Sequence, residues 1–192
     1  MADVMKLCAV LLCLLVMLMS CSGEVTVSAD EQAYVDSISE IIPNVKGHPA
    51  VMSSVGELIE TSKPTYIVRA KLTYRGECEA LGGMITTPYT VRVSECYLGG
   101  IEAGTEFVLD ASYGILDGQT YRTTPYPVLV VGCEYLLFVR CDSIYGATSY
   151  VLASGAYGAL RIDGDAVVND TGLGAFDGTV DSVTAEVREI GE

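Results

Sequence analysis

The chain has 192 residues with 25 acidic and 11 basic side chains, which give it a formal charge of −14 at neutral pH. Because nucleic-acid binders need a basic surface that displaces counterions from phosphate, this charge excludes nucleic acid from the expected partners. Half of the residues are hydrophobic, and a chain of this length and composition is expected to form one globular domain.

The first twenty residues have the pattern of an export signal. Lys6 precedes an unbroken apolar run of thirteen residues, 7–19. Secretory signals carry apolar runs of about 7–15 residues, whereas a membrane-spanning helix needs about 20. Residues 1–20 are therefore predicted to be a signal peptide, with translation starting at Met1 or at Met5.

The end of this signal, Leu18-Met19-Ser20-Cys21, resembles the lipobox of bacterial lipoproteins. In that family the cysteine after a small residue receives a diacylglycerol and becomes the first residue of the mature protein. Two acyl chains hold a protein on a membrane, whereas one binds reversibly. The resemblance implies lipidation of Cys21 and an extracytoplasmic protein anchored to a bacterial membrane; ordinary cleavage beside an incidental cysteine is the alternative.

Residues 21–52 are predicted to be a tether and a short N-terminal segment. Residues 22–33 are small and polar, as expected of a spacer beside a membrane. Apolar residues at helix-like spacing in residues 34–47 predict a short helix, which Pro43 interrupts.

A second short helix is predicted after Ser54. Glu57 stands three residues later, at the spacing of a capping box, and Pro64 forbids continuation. This helix would pack its apolar residues against the domain that follows; they are Val55, Leu58 and Ile59.

A two-residue period begins at Tyr66 and predicts a β domain over residues 53–169. Val68, Ala70, Leu72 and Tyr74 alternate with polar residues, which indicates a strand with one face in water. Further strands are predicted at residues 89–98, 106–111, 134–140, 149–153, 159–162 and 166–169. The turn signals between them are Gly99-Gly100, Asp117-Gly118 and Asp163-Gly164. Short strands separated by such turns predict a small barrel or sandwich.

The last segment, residues 170–192, is predicted to be a tail with a short helix. Residues 172–178 are rich in glycine. In residues 181–190, Val183, Val187 and Ile190 share one helical face, which predicts a short helix.

The strand pattern resembles the netrin-like, OB-type barrel of tissue inhibitors of metalloproteinases and of secreted bacterial proteins. The resemblance covers about residues 53–169 and rests on residues 66–71, on residues 89–98 with the glycines after them, and on residues 132–138. It implies a mainly β fold, a small OB-like antiparallel barrel with short flanking helices. The inhibitors chelate zinc with a free N-terminal cysteine amine; an acylated Cys21 has no such lone pair, so the inhibitory residues are not carried over.

The OB order of strands would place the start of the fourth strand beside the end of the first. It thereby implies two candidate disulfides, Cys78 with Cys133 and Cys96 with Cys141. Cys133 and Cys141 cannot pair with each other, because eight residues of strand span about 26 Å and bridged Cα atoms lie within about 7 Å. Four buried free thiols are the alternative.

The sequence offers no catalytic or metal-binding constellation. His48 is the only histidine, and the chain has neither a His-Glu-x-x-His nor a Cys-x-x-Cys motif. Asp163, Asp165 and Asp170 lack the further oxygen ligands of a calcium loop, so a hairpin turn explains them better. No catalytic residue, metal or cofactor is expected, and the protein is not expected to be an enzyme.

Three tyrosines in the long polar connection of residues 112–127 are the candidate ligand contacts: Tyr113, Tyr121 and Tyr126. Long ordered loops are often functional, although a solvated loop tip is the alternative. The expected function is that of a lipid-anchored binding module for a protein or a saccharide. A peptidase inhibitor of the cell envelope is the second candidate, and a cell-envelope hydrolase is the third.

Overall fold

The computed structural model describes residues 27–40, 52, 54–81, 83–122, 126–144, 147–171 and 178–191. The predicted signal peptide and Cys21 lie outside these ranges, as do His48 and the end of the helix predicted within residues 34–47. Within the described ranges the helices are α1 (Ala29–Ser39), α2 (Val55–Ser62) and α3 (Val180–Gly191). None of the described helices is both long and apolar enough to cross a membrane.

The protein is mainly β, as predicted. In the described part of the chain the strands are β1 (Tyr66–Arg75), β2 (Glu79–Leu81), β3 (Met84–Leu98), β4 (Glu106–Ala111), β5 (Tyr113–Leu116), β6 (Gln119–Arg122), β7 (Glu134–Ile144), β8 (Ala147–Leu152), β9 (Ala159–Asp163), β10 (Ala166–Val168) and β11 (Gly178–Thr179). Each predicted strand is present. β3 begins five residues before the predicted start at Tyr89. Pro88 does not end the strand but lies within it, opposite Asp110.

Five strands pair with one another in a series that begins and ends at β1. β1 pairs antiparallel with β3 along one edge and with β7 along the other. β3 then pairs antiparallel with β4, β4 pairs parallel with β8, and β8 pairs antiparallel with β7. β9, β10 and β11 continue the sheet beyond β7, while β5 and β6 form a separate hairpin. The central strand β1 is therefore hydrogen-bonded on both edges.

Alternation along β1 divides the core into two clusters. Val68, Ala70 and Leu72 are fully buried in the larger cluster, whereas Ile67 points to the smaller one. The larger cluster also takes side chains from β3, β4, β7 and the hairpin. The smaller one lies between the other face of the sheet and helices α2 and α3. Tyr74 departs from the predicted alternation, since its side chain is 63% exposed.

Helix α2 forms where the capping box predicts it. The Ser54 hydroxyl accepts a hydrogen bond from the Glu57 N–H at 3.1 Å, and Val55 and Leu58 are buried with Ile59 packed beside them. The predicted contacts of this helix are thus confirmed.

Helix α3 covers the residues predicted to be helical, 181–190. Val183 and Val187 are buried, whereas Ile190 is 44% exposed. The carboxylate of Glu186 accepts a hydrogen bond from the Gly56 N–H at 2.8 Å, which joins α3 to the start of α2. The last turn of α3 extends past the core, and Ile190 with it.

Helix α1 begins within the segment predicted to be a tether. It starts at Ala29, five residues before the predicted helix, and Ser28 caps it by accepting a hydrogen bond from the Glu31 N–H. Tyr34 and Ile38 are buried in the larger cluster. The predicted start of this helix was wrong. Ser28 and Glu31 have the same capping-box spacing as Ser54 and Glu57, but they lie among small, polar residues that are typical of a spacer.

Candidate functional site

An open groove lies where the start of α1, the end of β1 and the turn before β7 meet. Its volume is about 350 Å³. The groove is lined by Ser28, Glu31, Thr73, Tyr74, Arg75, Val131 and Gly132. The three contributing segments are far apart in sequence, so the fold and not local structure assembles this groove.

An ion pair between Glu31 and Arg75 forms one wall of the groove. Arg75 Nε donates to Glu31 Oε2 at 2.9 Å, and Glu31 Oε1 accepts a hydrogen bond from the Val131 N–H at 3.1 Å. The Glu31 side chain is only 9% exposed and that of Arg75 is 25% exposed. The carboxylate therefore joins helix, strand and turn through charged hydrogen bonds shielded from solvent.

The guanidinium of Arg75 also lies over an aromatic ring. Its Cζ is 3.5 Å from the centroid of the Tyr34 ring, at cation–π distance. Burial opposes the charged form of Arg75, but the hydrogen bond and charge of Glu31 outweigh burial and raise the pKa of the guanidinium. Arg75 is thus held in a fixed, charged state beside the groove.

Tyr74 and Thr73 supply the exposed wall. The β1–β3 register shifts between Leu72 and Tyr74, and beyond this point the Tyr74 ring leaves the core for solvent. The Thr73 hydroxyl donates to the carbonyl of Thr90 at 3.3 Å, which keeps it on the strand surface. The groove therefore offers an accessible aromatic ring beside a charge-compensated pair of donors and acceptors.

This chemistry suits an uncharged polar ligand. Because Glu31 and Arg75 neutralise each other, their side of the groove has no net charge, and the partly exposed guanidinium of Arg75 is the group of the pair that a ligand can reach. An exposed tyrosine ring adds an apolar surface with a polar hydroxyl. Among the described residues, no group of three or more His, Cys, Asp or Glu side chains is arranged to hold a metal ion.

The structure places the three predicted ligand-contact tyrosines differently. Residues 113–122 form the β5–β6 hairpin instead of an irregular loop, and Tyr113 and Tyr126 are buried in the core. The prediction is wrong for these two, because buried rings cannot contact a ligand in solution. Tyr121 is 37% exposed, so its role in ligand binding stays a prediction.

Hydrogen bonds explain why these polar rings are inside. The Tyr113 hydroxyl accepts from the Leu129 N–H at 2.7 Å and donates to the Tyr89 hydroxyl at 3.3 Å. The Tyr135 hydroxyl accepts from the Val130 N–H at 3.0 Å. Buried tyrosine is tolerated when its hydroxyl has a partner, and burial raises the pKa of Tyr89, Tyr113 and Tyr135.

The four cysteines Cys78, Cys96, Cys133 and Cys141 are free thiols. Cys96 is opposite Val68 on β1, and the other partner of Val68 is Leu137. Cys141 lies four residues beyond Leu137, about 13 Å further along β7. The Cα atoms of Cys96 and Cys141 are therefore further apart than the about 7 Å that a disulfide allows. The candidate pairing of Cys96 with Cys141 is therefore not formed.

The candidate pairing of Cys78 with Cys133 is absent as well. Cys133 lies beside Leu72, whose N–H donates to the Cys133 carbonyl at 3.1 Å. Cys78 packs instead against Gly114 of the hairpin, where a Cβ would collide with its sulfur. Burial raises the pKa of both thiols. The alternative of four buried free thiols holds only in part: all four are free, but Cys78, Cys96 and Cys133 are half-buried and Cys141 is exposed.

The aspartates near the end of the sheet belong to a hairpin and its ion pairs. β9 and β10 pair antiparallel on either side of Gly164, which has a φ of 60°. Arg161 Nε donates to Asp170 at 2.8 Å, and Asp163 lies 3.5 Å from the same guanidinium. The interpretation as a hairpin turn is confirmed for Asp163 and Asp165, whereas Asp170 lies beyond β10 and pairs with Arg161.

The residues of the groove were not among the predicted site residues. Arg75 and Glu31 are separated by 44 positions, and a single sequence gives no signal that would pair them. The capping-box spacing after Ser28 was the one local signal available, since it places Glu31 in the first turn of a helix. No family model, curated protein or solved structure matches this chain.

Proposed function

We propose that the protein is a lipid-anchored extracytoplasmic module whose OB-type barrel binds a neutral saccharide in the groove beside Tyr74. The barrel is supported by the pairings of five strands, β1, β3, β4, β8 and β7, which return to β1. The OB fold is a five-stranded barrel that binds oligosaccharides among other ligands.

The proposed location is supported by the segment before the domain. A charged start, an apolar run too short to span a bilayer, and Ser20-Cys21 follow one another as in lipoprotein precursors. Two acyl chains on Cys21 would hold the mature protein on a membrane.

The proposed ligand is supported by the chemistry of the groove, and Tyr74 carries the argument. Its ring is 63% exposed beside the Glu31–Arg75 pair. A sugar ring presents an apolar face to an aromatic side chain and hydroxyls to charged hydrogen-bonding groups. The formal charge of −14 disfavours anionic ligands.

Binding is tested with an array of neutral and acidic oligosaccharides, followed by calorimetry on the sugars retained. Tyr74→Ala is expected to weaken binding of a retained neutral sugar about tenfold, which corresponds to about 1.4 kcal/mol. Val108→Ala is the matched control, since Val108 is also an exposed apolar strand residue, outside the groove. Retention of no neutral sugar, or equal loss in both variants, would refute the saccharide proposal.

The anchor is tested by growing cells with radiolabelled palmitate. The wild-type protein is expected to take up label and to fractionate with membranes, and the Cys21→Ser variant to do neither. Equal labelling of the two proteins would show that the lipid is elsewhere, and absence of label from both would contradict lipidation.

A further inference from the structure

The start of α1 leaves a short segment between the proposed lipid and the folded domain. Ser28 is the N-cap of α1, so residues 22–27 are the six that separate it from Cys21. Seven steps along the chain reach at most about 25 Å when fully extended.

This separation is small compared with the domain. A compact domain of about 165 residues has a radius of gyration of about 15 Å, and therefore a diameter near 40 Å. A tether that reaches at most about 25 Å cannot place the far side of such a body against the membrane while its attached side points outward. The attachment point therefore restricts the orientation of the domain.

The attached side is the end of the sheet that carries the groove. Ser28 and Glu31 line the groove together with Arg75, the last residue of β1. The opposite end of the sheet contains Tyr66, the first residue of β1, about 30 Å away along the strand. The exposed Cys141 is at this opposite end, where its N–H donates to the Thr65 hydroxyl at 3.2 Å.

Charge does not draw the groove end to a membrane. Asp30, Asp36 and Glu40 on or beside α1 are exposed, and anionic headgroups would repel them. The groove end is therefore brought towards the membrane by the covalent attachment at Cys21 and not by binding to lipid headgroups.

We propose that the groove end of the domain faces the bilayer surface while the Tyr66 end points away from it. This inference rests on the proposed lipidation of Cys21. It places the groove within about 25 Å of the bilayer, so its ligand must be present close to the membrane surface.

The test compares two exposed thiols on the protein inserted into preformed phosphatidylcholine vesicles. The reaction rate of Cys141 in the wild-type protein measures how accessible the Tyr66 end is. Ala33→Cys, combined with Cys141→Ser, reports on the groove end, because Ala33 is exposed on α1. Cys141→Ser alone measures the background from the three partly buried thiols. The reagent is a maleimide joined to a bulky polymer, which reacts slowly in a narrow space.

The groove-end thiol is expected to react about fivefold more slowly than Cys141 in vesicles. A variant with twenty Gly and Ser residues inserted after Ser22 is the matched control, since it lengthens the maximum reach of the tether from about 25 Å to about 95 Å and should restore the reaction. Asp36→Cys serves as a second groove-end probe if Ala33→Cys does not fold. Equal rates for both ends on the short tether would overturn the orientation but leave lipidation intact. A protein that does not float with vesicles would overturn both.

Discussion

The hydroxyl of Tyr113 lies in the core and joins parts of the chain that are distant in sequence. It contacts the hydroxyl of Tyr89 in β3 and the N–H of Leu129 in the segment before β7. That segment has no strand partner at Leu129, so the tyrosine satisfies a backbone group that a sheet would otherwise bond.

We predict that Tyr113→Phe lowers the free energy of unfolding by about 1–3 kcal/mol, because it leaves the buried Leu129 N–H without its partner. The measurement is equilibrium unfolding in urea. Tyr121→Phe is the control, since Tyr121 is exposed, and its effect should stay within about 0.5 kcal/mol. Equal effects of the two substitutions would contradict the role given to the Tyr113 hydroxyl.

A second prediction concerns Glu134 and the pH dependence of stability. The hydrogen bond from Arg69, at 2.7 Å, and the charge of Arg69 lower the pKa of Glu134. A lowered folded-state pKa contributes stability above the unfolded-state pKa of about 4.3, and this contribution is lost as the pH falls through the folded-state value.

Glu134→Gln is therefore expected to cost up to about 1 kcal/mol at pH 7, with the cost shrinking below about pH 4. Urea unfolding of both proteins across this pH range measures the difference. Glu106→Gln removes an exposed ion pair with Arg92 and should have little effect throughout. A Glu134→Gln difference that is constant with pH would show that the charge of Glu134 is not the cause.

Single residues differ in how well their positions can be predicted. Val68, Ala70 and Leu72 were correctly predicted to share a buried face, because alternation of apolar and polar residues reports burial directly. Tyr113 and Tyr126 were assigned to solvent because their surroundings are polar. Their burial depends on partners such as Leu129 and Tyr89, which only the folded chain brings together.

At the scale of elements, α1 is joined to the sheet by Glu31 as well as by its own apolar residues. Tyr34 and Ile38 are its buried hydrophobic side chains, while the Glu31 carboxylate connects the helix to Arg75 and to the Val131 N–H. This ion pair is costly to break from the Glu31 side, because the charge that remains is that of Arg75, whose side chain is only 25% exposed.

Glu31→Gln is expected to destabilise the protein by about 1.5–3 kcal/mol, as for hydrogen bonds to charged groups. The denaturation midpoint in urea measures this loss. Glu102→Gln is the matched control, because Glu102 is exposed and outside the groove. A loss no larger than that of the control would mean that the ion pair does not hold α1 to the sheet.

Elements could be predicted where their signals are local. The capping box at Ser54 and the apolar alternation after Tyr66 predicted α2 and β1 correctly. The β5–β6 hairpin was missed although its turn, Asp117-Gly118, was recognised. Both turn residues have positive φ values, 51° and 73°, as in the two-residue turns that join tight hairpins. Its strands are only four residues each, too short for alternation to identify them.

At the scale of the whole molecule, the order of strand pairing follows from contacts between distant segments. β1 and β7 pair from Tyr66 with Val139 to Lys71 with Glu134, across more than sixty positions. No local pattern specifies such a pair, so the alternation predicted a barrel or sandwich without its order, and an order was implied only by the resemblance to the OB-type barrel. The groove depends on the same distant contacts, and for that reason its residues could not be predicted.

The whole-molecule account depends on the lipid at Cys21, because that attachment determines both the location and the orientation of the domain. Mass spectrometry of the N-terminal peptide from the membrane-extracted protein tests it most directly. The account predicts a mature chain that begins at Cys21 and carries a diacylglycerol on its sulfur. A mature chain that begins at another residue, or an unmodified Cys21, would contradict it.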